Sequence, residues 1–213
     1  MTKKERAELS ISSLKKLYPS VKCSLDYNTP LEMLLATQMS AQCTDASVNK
    51  VTKTLFKKYT SAEDFANADI AELQDDIRSI GLYKNKSKNI IACCKKIIED
   101  YNGEVPDTME KLLTLPGTGR KTANLILGEI FGKPSVVVDT HCIRLSGRIG
   151  LTKQTSPEKI EVDLKKIIAP QEQLDFCHRL VYHGRAICNA RNPKCSECSL
   201  NSFCKYGIKA LGI

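Results

Sequence analysis

Leu115-Pro116-Gly117-Thr118-Gly119-Arg120-Lys121 places a glycine-bearing turn directly before a helix whose first turn carries a lysine. Two positions without a Cβ let the backbone come close to a ligand. The helix adds the positive end of its dipole, so the chemistry on offer is anion binding. The spacing matches neither the dinucleotide pattern G-x-G-x-x-G nor the triphosphate pattern G-x-x-x-x-G-K-S/T. A nucleic-acid backbone fits better. The plainer reading is a tight interhelical loop with Lys121 on a solvated face. One helix further on, Val138-Asp139-Thr140-His141 offers a carboxylate placed to cap the next helix.

A second chemical cluster is Cys188-x6-Cys195-x2-Cys198-x5-Cys204. Structural zinc usually takes two short C-x2-4-C knuckles, and only the central pair is that close here. The compact run suits a 4Fe-4S cubane with one thiolate per iron, ahead of zinc and with disulfides last. Arg191 and Lys194 lie in the first gap and Lys205 follows the last thiol. Wrapping this segment around a cluster would fix their charge in one loop, where phosphate contact is the natural use and electron transfer the rival role. Cys23, Cys43, Cys93, Cys94, Cys142 and Cys177 fit no second site and read as small buried hydrophobes.

The chain that must position these groups has 213 residues, enough for one or two cored domains. Lys and Arg number 32 against 24 acids, a net charge of +8 that suits a polyanionic partner. No apolar run approaches a membrane span and residues 1–6 lack a signal-peptide core, so a soluble, cytoplasmic protein is expected, with ten cysteines pointing to metal rather than disulfides.

Helical periodicity dominates. Ala7, Ile11, Leu14 and Tyr18 share a face before Pro19, and Thr44 caps a helix through Val48, Val51, Leu55 and Tyr59. Ser61 and Asp69 begin capping boxes, the second opening a helix that ends at Gly81. Ile90, Cys94, Ile97 and Tyr101 form a stripe, and Asp107 caps the short helix before the Pro-Gly turn. Ser156-Pro157 opens a later helix, and a last one covers 172 to about 185. Ser135 to Val138 is the one strand-like run, so the fold is all-α.

Together, LPGTGRKTANLIL at 115–127, VDTH at 138–141, His183-Gly184-Arg185 and the cysteine run closely resemble the endonuclease III branch of the helix-hairpin-helix DNA glycosylases. Weaker likeness runs through 40–45 and Gly81-Leu82-Tyr83. The resemblance implies two helical lobes with a DNA-binding groove between them. One, residues 22–134, is a six-helix barrel containing the hairpin. The other joins residues 1–21 to 135–213 and carries the 4Fe-4S cluster on Cys188, Cys195, Cys198 and Cys204. Leu115, Gly117, Gly119, Arg120 and His141 are expected at the DNA, with Arg191 and Lys194 on phosphates.

By the same resemblance Lys121 attacks the sugar of an oxidised or saturated pyrimidine nucleotide, assisted by Asp139. An amine nucleophile gives an iminium that acidifies the neighbouring carbon and permits β-elimination at the abasic site. Gln42 and Leu82 match positions that fill the gap left by an extruded base, although Leu82 after Gly81 could simply complete a helix cap. The partner is double-stranded DNA with a damaged pyrimidine or abasic site. A monomer is expected, nucleoid-associated if bacterial.

Two rivals stand beside this reading. Adenine-type, hydrolytic glycosylases rely on a carboxylate in an early helix and lack the lysine, but Leu34 to Gln42 holds no acid and Glu32 precedes it. A non-catalytic iron-sulfur DNA-binding module is the other.

Overall fold

The computed structural model describes residues 1–213 as helices and turns without a strand. The chain forms two compact units, residues 23–132 and residues 1–22 with 133–213. No helix is long and apolar enough to cross a membrane.

The 23–132 unit contains α2 (Pro30–Met39), α3 (Asp45–Lys58), α4 (Ala62–Ala66), α5 (Ile70–Asp76), α6 (Tyr83–Tyr101), α7 (Met109–Leu112) and α8 (Arg120–Glu129). Every residue from Met33 to Met39 is buried, which makes α2 the central helix, with α3, α6 and α8 packed around it. The long α6 buries Ile90, Cys93, Cys94 and Ile97, and α4 and α5 cover it with Phe65 and Leu73.

Side chains of Thr29, Thr44, Ser61, Asp69 and Thr108 cap α2, α3, α4, α5 and α7. Only α6 and α8 in this unit start without a side-chain cap. Three expectations shift. Thr108, not Asp107, caps α7, because its Oγ1 receives Lys111 N. The helix expected to reach Gly81 ends at Asp76, since turns from Arg78 N to Asp75 O and Ile80 N to Ile77 O replace it and bury Ile80. Leu82 is no helix C-cap: it takes a left-handed φ of 62° and begins α6.

The second unit contains α1 (Lys3–Leu17), α9 (Thr140–Ile149), α10 (Pro157–Ile167), α11 (Gln173–Ala186) and α12 (Lys205–Leu211). Helix α1 rests on α10 and α11, and α9 lies against α11 and α12. The buried face of α1 is Arg6, Ala7, Ser10 and Leu14 rather than one through Ile11. The strand-like run at 135–138 is buried chain that belongs to no helix or strand. Ser156 begins α10 but turns its hydroxyl to Glu158 instead of capping.

Candidate nucleic-acid interface and cysteine centre

The hairpin between α7 and α8 is built by turn chemistry. Thr118 N donates to Leu115 O at 3.0 Å, with Pro116 and Gly117 at the centre and Gly117 at φ +77°, the pattern of a type II turn. A Cβ on Gly117 would meet Asn89 Cβ at 3.0 Å and Gln38 Oε1 at 3.1 Å, so glycine is required twice over. Gln38 clamps the turn from inside. Its Nε2 lies 3.1 Å from Pro116 O and 3.0 Å from Thr118 Oγ1. Sequence reasoning missed Gln38; the signal was a lone amide within the apolar run 33–39.

Gly119 differs from Gly117. Its φ of −94° suits any residue, and no atom lies within 4 Å of a Cβ placed there. Arg120 and Lys121 are exposed on the uncapped first turn of α8. The side chain of Leu115 is buried, and its N–H and C=O serve Leu112 O and Thr118 N, so it holds the turn from the core side.

Gln42 and Leu82 come together on neighbouring turns of the same unit. Both are exposed with left-handed backbones, φ 54° and 62°, an uncommon state for non-glycine residues. A Cβ on Gly81 would lie 3.8 Å from Gln42 O, so the turns touch.

In the other unit, Asp139 caps α9 by accepting Cys142 N at 2.7 Å on Oδ1. His141 Nδ1 meets Arg144 Nη2 at 3.0 Å, and that guanidinium reaches Gly184 O and Cys188 O at 3.2 and 3.1 Å. A Cβ on Gly184 would collide with His141 and Arg144, which explains the glycine of the His183-Gly184-Arg185 run. His183 is buried between Tyr18 OH on Nδ1 and Cys198 Sγ on Nε2, each at 3.3 Å. Burial lowers its pKa to about 4 and holds the ring neutral.

Cys188, Cys195, Cys198 and Cys204 line one half-open pocket, together with Ile187 and Tyr206 among others. Burial first, and then the charge of the three other thiols, raises the Cys198 pKa to about 11. No three His, Cys, Asp or Glu side chains meet closely enough for one metal ion. Thiols facing a shared space rather than a shared point fit a multi-iron cluster better than a tetrahedral zinc. Arg148 braces the loop, donating to Asn189 O at 2.7 Å, Ala190 O at 2.9 Å and Cys188 Sγ at 3.3 Å. Arg191 and Lys194 stand exposed on this loop. Neither Arg144 nor Arg148 was singled out by sequence, since an arginine in an amphipathic helix carries no mark of its target.

A helix-hairpin-helix turn with an exposed amine on one unit, and a thiol-lined cavity beside basic side chains on the other, define an iron-sulfur DNA repair protein. The family model for the HhH-GPD superfamily of base excision DNA repair proteins matches residues 35–170, and that for the iron-sulfur binding domain of endonuclease III matches 188–204. The chain is 52% identical to endonuclease III of Synechocystis over 95% of this chain and 93% of that one. Identity to the Bacillus subtilis endonuclease III is 44% over 96% and 94%. A trapped endonuclease III–DNA covalent intermediate superposes with a TM-score of 0.94 at 43% identity, covering 99% of this chain and all of that one. The chain belongs to the endonuclease III family. It is a bifunctional DNA glycosylase and abasic-site lyase of base excision repair with a 4Fe-4S cofactor.

Proposed function

We propose that this enzyme removes oxidised or saturated pyrimidines from duplex DNA through the Lys121 amine. The neutral amine attacks C1′, and the glycosidic bond breaks with its electron pair leaving on the base, which takes up a proton. Opening of the sugar ring then leaves a Schiff base between Lys121 Nζ and C1′. Loss of a C2′ proton breaks the C3′–O bond, the phosphate departs, and water frees the lysine. The Asp139 carboxylate stabilises positive charge on the sugar and carries protons while it caps α9.

The observation that carries this reading is the first turn of α8. Five of the seven helices in that unit receive a side-chain cap, yet α8 begins at Gly119 with open space before it and with Lys121 exposed. A phosphate of the strand would meet the positive end of this helix. Gln42 and Leu82 enter the gap in the duplex when the damaged base leaves the stack. Cys188, Cys195, Cys198 and Cys204 would hold the 4Fe-4S cluster, which would cross-link the loop on which Arg191 and Lys194 face phosphates. Bacterial relatives support the reading of a cytoplasmic enzyme that works on DNA at the nucleoid.

Borohydride reduction on a duplex carrying an abasic site tests the mechanism. A covalent protein–DNA adduct is expected with the native chain and is absent from Lys121→Gln, whose lyase rate falls by about a thousandfold or more. Release of base without an adduct would establish a hydrolytic enzyme instead.

A further inference from the structure

Lys86 is a lysine that the chemistry above does not use, and only 6% of its surface is exposed. It sits in the first turn of α6, where its N–H donates to Leu82 O at 3.0 Å. Its ammonium reaches 47 residues back along the chain to Met39 O, the last carbonyl of α2, at 2.7 Å. Burial pulls its pKa below the usual lysine value, so the charge is held there against a desolvation cost.

The end of α2 leaves this bond a defined task. Thr37 O accepts the Ser40 hydroxyl, Gln38 O accepts Ala41 N, and Ser40 O accepts Cys43 N. Met39 O is satisfied from outside the turn, by Lys86. A cation at a helix C-terminus also meets the negative end of its dipole. The next residues are the turn that holds Gln42 at positive φ, and the backbone partner of Lys86 is Leu82, also at positive φ. One residue therefore ties together both strained turns.

We propose that Lys86 is a positioning residue that locks the Gln42 and Leu82 turns in register, so that both side chains enter the duplex as one rigid wedge. This rests on the reading of Gln42 and Leu82 as strand-probing residues. Pre-forming the wedge spares the ordering of two turns on binding, so Lys86 acts on recognition of duplex and not on sugar chemistry.

Lys86→Met keeps most of the side-chain length and removes the donors. On a duplex containing thymine glycol its KM should rise about tenfold, the scale of a lost charged hydrogen bond, with kcat nearly unchanged. Lys86→Arg should restore KM. On a single-stranded abasic oligonucleotide, which offers no gap to fill, Lys86→Met should trap as the native chain does. In the double variant with Gln42→Ala the two losses should fall short of adding. Lys86→Gln gives the same ordering if the Met variant does not fold.

Native KM in Lys86→Met beside a weakened Gln42→Ala overturns this assignment alone. Equal losses on single and double strands, or fully additive losses, do the same. Native KM in Gln42→Ala overturns the strand-probing reading and this assignment with it.

Discussion

The hairpin at 115–121 and the cysteine loop at 187–204 both expose basic side chains on irregular chain, but they are held in opposite ways. The hairpin is closed by its own turn, by a left-handed glycine and by the buried Gln38 amide of α2, all neutral groups. The loop has a single 3-10 turn, Cys195–Glu197, and hangs on two arginines of α9 that grip its carbonyls around a thiol-lined cavity. One surface is complete before any ligand arrives. The other gathers the four thiols that would hold the cluster, so its order is coupled to cluster binding.

Cys198→Ser breaks the comparison most severely. The purified protein should lose its brown colour and about 4 kcal/mol or more of stability, as expected for loss of a structural metal site. Hydrogen exchange should accelerate across 187–204 while amides of the hairpin keep their protection. A loop that stays protected without the cluster would mean that Arg144 and Arg148 suffice to hold it.

The two hairpin glycines provide a finer contrast. Gly117→Ala forces a Cβ into the left-handed region and against Asn89 and Gln38, a cost of about 2 kcal/mol in urea melts. Gly119→Ala meets nothing within 4 Å and should cost only about 0.5–1 kcal/mol, the preference of an N-cap for Gly over Ala. On the proposed function its methyl would stand where a phosphate approaches, so affinity for an abasic-analogue duplex should fall by more than the small loss of stability explains. Equal affinity in Gly119→Ala and the native chain would place the strand elsewhere.

That division explains what the sequence made legible. Caps at Thr44, Ser61 and Asp69, the turn at Pro116-Gly117 and the cysteine spacing are local, and each could be read because neighbouring residues satisfy one another. Gln38, Lys86, Arg144 and Arg148 act across 40 to 80 residues of chain, so their types alone said only that each sits on a helix. Asp107 and Thr108 show the limit at short range. Either residue type can cap, and the register was set when Leu112 was buried and Leu113 left exposed. The end of α5 failed differently, because burial of Ile80 by a tighter turn outweighed the continuation that Gly81 suggested.

Asp139 joins the two modes, since its cap is local chemistry at the head of the same helix whose arginines hold the cysteine loop. Asn caps a helix as well as Asp does, so Asp139→Asn should leave stability unchanged while slowing base release. Asp139→Ala loses the bond to Cys142 N as well and should cost about 1 kcal/mol. Single-turnover glycosylase rates on a thymine-glycol duplex, measured beside thermal melts, separate the two roles. If both variants slow base release equally and only Ala lowers the melt, the carboxylate charge serves the reaction and the hydrogen bond serves the fold. Should Asn retain the native rate, the residue is a cap alone.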